Sequence, residues 1–365
     1  MAEAREFIVV GAGLVGLAVT RELARRGHEV ACLEQATIGN ERAGSKGGSR
    51  LFRYGYDDPL YVAMAMRSLV GWQELGEESG RDVLDPTGLL SFGERVAELA
   101  AAMQESGATF EILMGEELSE RFPAIRIAGR ALFEATAGVL QADAVLVALA
   151  ESARSAGAQI TEGARVTTVE VGEAGVRLRA GALEYDCAVV LLCGGPWSGM
   201  LAEMAGLPAE GVFRPTLQQV AYLQSKSGSL RGVPAFVERG PVTYYGVPAP
   251  TLGRYKIGIH DPGRTVAPAE VSLDDEVSEL ELLRGAAGRV LPGFVGEPTS
   301  TERCFYDNTP DEHFVMDRVG RVVVGGGTSG HGFKFGPLWG EVLADLAEGV
   351  PPSVPMEAFS LRRFA

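Results

Sequence analysis

The sequence predicts an α/β fold, with a Rossmann-type nucleotide domain built from discontinuous pieces and a second, mainly antiparallel β-sheet domain. Three observations predict it. Near the start, an apolar strand runs into a glycine-rich turn, a helix and a second strand. Two more apolar strands, far along the chain, also end in glycine clusters. Between these pieces lie stretches richer in alternating strand and turn patterns, such as PVTYYGVPAPTLGRYKIGIH. The 365 residues allow one large or two medium domains. Glycine accounts for 48 of them, nearly twice its usual share of about 7%. No repeat or low-complexity tract absorbs that excess, so the glycines serve particular backbone positions.

EFIVV reads as a short, fully buried parallel strand. It enters Gly11-Ala12-Gly13-Leu14-Val15-Gly16, and a helical pattern follows to a stop at Gly27. HEVACLE is a second strand ending on Glu34. In this pattern Gly11 permits the tight turn, Gly13 lets the backbone approach a pyrophosphate, and Gly16 lets helix and strand pack closely. The pyrophosphate sits on the helix N-terminus. Glu34, 18 residues beyond Gly16, stands where an acid accepts hydrogen bonds from a ribose. The motif predicts dinucleotide binding and does not by itself separate FAD from NAD.

YDCAVVLLCGGPWS leads into Gly194-Gly195, and GRVVVGGGTSGHGFKF leads through Gly325–Gly327 to Gly330 and Gly332 before a helix. In doubly wound sheets ligands lie beyond the carboxyl ends of the strands. Three glycine-ended strands suggest one long cofactor across a single sheet edge, which suits FAD better than NAD. The expected division is a nucleotide domain of residues 1–80, 138–213 and 303–365, with a substrate domain of 81–137 and 214–302.

Charge excludes other classes. The 33 Lys and Arg against 48 Asp and Glu give a net of −15, which repels nucleic acid and anionic membranes. No run approaches the roughly 20 apolar residues that span a bilayer, and no signal peptide is visible. Four scattered cysteines and four unpaired histidines form no metal-ligand pattern. A cytoplasmic protein with a small-molecule partner is expected.

Within this acidic chain, four places set polar or basic groups in apolar or glycine-rich surroundings. Ser49, Arg50 and Arg53 follow Lys46 in KGGSRLFR, and one helical turn would put the two arginines on one face. Lys256 and His260 share one face of a strand whose other face is Tyr255, Ile257 and Ile259. For Lys256 alone, a solvated edge is the plainer alternative. Lys334 follows the last glycine cluster, and Tyr245 lies on a strand where a core or surface aromatic is the default. Cys304 opens a strand-like CFYDNTPDEHFVMD, and composition alone reads it as a small buried hydrophobe.

Taken together, GAGLVG with Glu34, GSKGGSRLFRYGY, TYYGVP, YKIGIH, CFYDNTPDEHF and SGHGFKF resemble the D-amino-acid-oxidase-like flavoprotein superfamily. Nearly the whole chain resembles its monomeric sarcosine oxidase and N-methyltryptophan oxidase branch, including the spacing of eleven between Tyr245 and Lys256. The resemblance implies a glutathione-reductase-like FAD domain and a monomer. It implies that Cys304 carries FAD through a thioether and that Lys256 promotes reaction of reduced flavin with O2. Arg53 and Lys334 match the clamp on the substrate carboxylate, Tyr245 and His260 line the substrate cavity, and Ser49 and Arg50 lie near the flavin. The flavin contacts extend to Leu14, Val15, Ser45, Val166, Gly194, Trp197, Gly330, Phe333 and Lys334, with Gly330 also beside the substrate. At Lys46 the branch carries histidine.

The expected activity is oxidation of a secondary or cyclic amino acid to an imine with release of hydrogen peroxide, with a specialised biosynthetic pathway as one setting. Alternatives are a dehydrogenase passing electrons to a carrier, a non-catalytic FAD-binding protein, and an NAD-dependent dehydrogenase.

Overall fold

The computed structural model describes residues 3–261, 263–273 and 279–364. Its first sheet is built on five parallel strands in the order Gln159–Thr161, Val30–Leu33, Glu3–Val10, Leu183–Leu192 and Val322–Gly326. Period-two alternation divides their apolar side chains between two cores. Phe7, Val9, Cys32, Leu191 and Val323 face one core, where helices Leu14–Arg25, Ala142–Ser155 and Gly336–Glu348 pack. Ile8, Val10, Leu33, Leu192 and Val324 face the other, covered by the hairpin Val166–Val171/Val176–Ala180 and helix Ser198–Met204. A strand buried on both faces must be apolar throughout, which is why EFIVV and AVVLL carry no alternating polar residues.

Glycine closes the first turn. Gly11 has φ +103°, and a Cβ there would lie 2.4 Å from the Cys193 carbonyl oxygen on the neighbouring strand end. A Cβ on Gly16 would lie 1.8 Å from the Gly11 carbonyl oxygen. Gly16→Ala therefore forces backbone apart where nothing can rotate aside, at about 1–3 kcal/mol or more. We expect thermal unfolding of that variant several degrees below wild type, with little or no bound flavin.

The second sheet has eight strands in the order Ser300–Asn308, Arg214–Leu223, Arg254–His260, Thr243–Ala249, Ala235–Arg239, Leu89–Gly93, Arg130–Glu134 and Glu111–Met114. All neighbours are antiparallel except Ala235–Arg239 beside Leu89–Gly93. Tyr255, Ile257 and Ile259 pack into its core against helix Leu280–Val290, as the alternation in YKIGI predicts. A three-stranded sheet of Arg50–Phe52, Gly138–Leu140 and Leu84–Asp85 completes the strand structure.

Three expectations change. Residues 50–52 form a strand, so Arg50 and Arg53 are not placed by a helical turn. Cys304 sits within the strand Ser300–Asn308 and does not open it. That strand pairs along its whole length with Arg214–Leu223, so a boundary between 302 and 303 cuts through a sheet strand. We propose the same two-domain division with this boundary after Asn308. The stretch 81–137 also holds helices Val96–Glu105 and Gly115–Arg121 among its strands. Among the described residues no helix is long and apolar enough to cross a membrane.

Candidate active site

The carboxyl ends of the parallel strands open onto a cavity of about 620 Å³ that continues beneath the second sheet. Gly11, Gly13, Leu14, Val15, Glu34, Ser45, Val166, Gly194 and Trp197 line its first part. Arg50, Arg53, Tyr245, Lys256, His260, Cys304, Gly330, Phe333 and Lys334 line the remainder. Two expected residues are set back. Gly16 acts through packing, as above, and Ser49 is buried behind the wall, where its carbonyl accepts from Lys256 Nζ and from Arg50.

The first part suits the nucleotide half of FAD. Helix Leu14–Arg25 points its N-terminus at the cavity with no side-chain cap from Gly13. The Leu14 amide donates to Ser45 Oγ at 3.0 Å, and a Cβ on Gly13 would approach that same oxygen to 3.3 Å. A glycine cradle at a helix N-terminus accommodates an anionic phosphate. Buried Glu34 accepts from the Ala12 amide at 2.8 Å and the Ala36 amide at 3.0 Å. Each carboxylate oxygen has two lone-pair sites, so one remains on each for a ribose hydroxyl.

Beyond this crevice the wall becomes cationic. Lys256 projects from the middle of the second sheet and is 5% exposed. Burial, then the Arg50 charge, pulls its pKa down to about 7, opposed by Cys304 and Glu302. This excludes the solvated-edge reading. Lys334 is equally buried and donates to the His331 carbonyl at 2.8 Å. Its turn, Phe333–Phe335, is pinned by two indoles, Trp72 donating to the Lys334 carbonyl and Trp339 to that of Gly332. Burial and then Arg53 hold the Lys334 pKa well below the ordinary lysine value. Arg53 lies 4.2 Å above the Tyr56 ring, and its Nη1 is buried without a hydrogen-bond partner. Among the described residues none of Arg50, Arg53, Lys256 and Lys334 forms an ion pair with a carboxylate. Buried cations left unpaired are costly unless a ligand completes them.

Cys304 is half-buried, whereas Cys32, Cys187 and Cys193 are buried. Burial raises the Cys304 pKa, and Arg50, Lys256 and Lys46 each pull it back down. Of the two thiols on the cavity wall, Cys193 and Cys304, Cys304 is the more exposed and the one with cations in its field. Lys46 lines the same wall. Tyr245 and Tyr306 share a hydrogen bond, and burial pushes both phenol pKa values up. Two glycines make room for these rings. A Cβ on Gly258 would fall 2.6 Å from the Tyr245 hydroxyl oxygen, and one on Gly330, at φ +70°, would fall 2.2 Å from the Tyr306 ring. His260 is pulled to about 4 by burial, Arg53 and Lys334, so it presents a neutral ring.

Sequence reasoning missed two residues here. Arg239 ends the strand Ala235–Arg239 and lines the cavity. Glu134 is fully buried and accepts from the Tyr54 and Gly55 amides, fixing the segment that carries Arg53. An arginine just before the TYYGVP strand is a visible signal for the first. Glu134 has none, because its partners are backbone amides.

The crevice defines a dinucleotide-binding protein, and comparison with known proteins narrows the class. Residues 6–346 match the DAO family, FAD dependent oxidoreductase, and the chain belongs to it. It is 31% identical over 379 residues to peroxisomal sarcosine oxidase of Mus musculus, covering 98% of this chain and 96% of that one. It is 30% identical over 381 residues to N-methyl-L-tryptophan oxidase of Salmonella arizonae, covering 99% of each. Among solved structures, NikD, an unusual amino acid oxidase essential for nikkomycin biosynthesis, matches with a TM-score of 0.84 at 23% identity over 98% of each chain. That last likeness speaks for the fold. By its sequence kinship the chain is an enzyme of the FAD-dependent amine-oxidase class.

Proposed function

We propose that the protein oxidises a secondary or cyclic amino acid to its imine, holds FAD covalently through Cys304, and reduces O2 to hydrogen peroxide. The observation that carries this reading is the convergence of a half-buried thiol and four unpaired cations on one cavity that begins at the dinucleotide crevice. Bound FAD supplies the two-electron chemistry, accepting a hydride equivalent from the carbon next to nitrogen and passing the electrons to O2.

The chain's own groups supply the rest. Arg53 and Lys334 hold the substrate carboxylate, Arg53 with a planar fork and Lys334 with a point charge. Their field, with that of Arg50 and Lys256, disfavours a positive charge on the substrate nitrogen and keeps the amine neutral. Neutral His260 and the protonated phenol of Tyr245 add hydrogen-bonding shape without further charge. The cations around Cys304 favour its thiolate, the form that makes a bond to carbon. Lys256 holds a proton at Nζ and offsets the negative charge that develops as O2 is reduced. We propose that the enzyme works as a monomer in the cytoplasm, with a specialised biosynthetic pathway as its setting.

Acid precipitation tests the cofactor linkage directly. The wild-type pellet should stay yellow, whereas Cys304→Ala should leave its flavin in the supernatant. A colourless wild-type pellet would remove the covalent link. An oxygen electrode with peroxide detection then tests the oxidase. Electrons that pass to a dye and not to O2 would replace it with a dehydrogenase.

A further inference from the structure

We propose that the amino acid taken by this site carries a second carboxylate, and that Arg239 is the residue that reads it. The proposal rests on the oxidase reading above and deepens its substrate class. Arg239 lies on the cavity wall next to the Arg53 segment. Among the described residues its one side-chain hydrogen bond, to the Gly55 carbonyl, is long at 3.5 Å, and its Nε is buried without a partner. The Arg53 guanidinium has the same deficit at Nη1. Two arginines with buried, unmade hydrogen bonds therefore face one chamber, with Lys334 as a third cation.

The nearby carboxylates do not complete them. Glu134 is engaged by the Tyr54 and Gly55 amides, Asp57 is paired with Arg95, and Asp311 is held by Arg363. Among the described residues neither Arg53 nor Arg239 reaches an acid within ion-pair distance. Two guanidiniums with unmade hydrogen bonds on one chamber match a ligand with two anionic groups. Burial and repulsion from Arg53 pull the Arg239 pKa down to about 10, and Asp57 and Tyr56 oppose them only in part. One substrate carboxylate is met by Arg53 with Lys334. A second, on the side chain, satisfies Arg239 in the planar geometry a guanidinium prefers.

The test uses the holoenzyme and two matched pairs. Inert succinate and butyrate, of equal chain length, are titrated by their perturbation of the flavin spectrum. N-methyl-L-aspartate and N-methyl-L-alanine are compared as substrates by kcat/KM. Succinate should bind at least about tenfold more tightly than butyrate, the gain from one charge-assisted contact. The dicarboxylate should also be the better substrate. In Arg239→Met both ratios should fall about tenfold or more, and Arg239→Lys should restore part of each. Because ratios are read, any loss common to both members of a pair cancels. Equal binding of succinate and butyrate by wild type, or ratios unmoved in Arg239→Met, would overturn the proposal. If neither these amines nor a cyclic amino acid reduces the flavin, the oxidase reading fails, and the succinate to butyrate ratio still decides the anion site.

Discussion

Replacing Lys256 with methionine should slow reoxidation of the reduced enzyme by O2 about 10²–10³-fold, the scale of removing one preorganised electrostatic partner. Substrate-driven reduction should change only a few-fold. Methionine keeps the length and the apolar stem of the side chain, so the strand Arg254–His260 is not left with a hole. What it removes is a positive charge on a side chain that is only 5% exposed. The Lys256 pKa, lowered to about 7 chiefly by burial and then by Arg50, gives the effect a pH dependence. The protonated amine is the cation and dominates below that value. Reoxidation in the wild type should therefore fall as pH rises through about 7, while the methionine variant, with nothing to titrate there, should be flat. Stopped-flow absorbance separates the two half-reactions. Equal slowing of both would refute the oxygen-activating role and leave Lys256 as part of the substrate wall.

The fold was readable wherever burial on both faces forced a simple composition. EFIVV, AVVLL and VVVGG are short apolar runs closed by glycine, and all three lie in the parallel sheet. The glycines that ended them were readable for the same reason, since a close backbone approach admits nothing larger. The second sheet was harder. Its strands are separated by helices such as Val96–Glu105 and Gly115–Arg121, and sequence order does not reveal that Leu89–Gly93 pairs in parallel with Ala235–Arg239. The strand around Cys304 belongs to this sheet by pairing with a segment about 90 residues earlier, and no local pattern carries that.

For the site, residues that carry charge at a motif were legible, and those that act through geometry were not. Arg53, Lys256 and Lys334 stand out as cations in apolar contexts, and the structure brings them to one wall. Spacing misled for Arg50 and Arg53, because three residues apart suggests a helical face only if a helix is present. Ser49 contributes a carbonyl and not its hydroxyl, which no side-chain pattern could announce. Gly330 was expected to touch ligand. It lines the cavity, and its φ of +70° beside the Tyr306 ring shows a structural demand on the same residue.

Arg53→Leu should lower kcat/KM for the preferred amino acid by about 10²–10³-fold, the usual scale of removing one partner from a buried, hydrogen-bonded charge pair. The loss should appear mainly in KM, because the carboxylate is held in both the ground and the transition state. Flavin content should not change, since the contacts proposed for the nucleotide lie at the other end of the cavity. A simple secondary amine without a carboxylate serves as the control and should lose far less. Lys334 supplies the sharper test. Arg53 is the charge that, after burial, depresses the Lys334 pKa, so Arg53→Leu should let Lys334 hold its proton to higher pH. In that variant the residual carboxylate affinity, now carried by Lys334, should persist to higher pH than Lys334 alone sustains in the presence of Arg53. If both groups bind the same carboxylate, the Arg53→Leu and Lys334→Met losses should fail to add, with a coupling of about 0.5–3 kcal/mol in a double-mutant cycle. Additive losses would mean that the two cations hold different parts of the substrate.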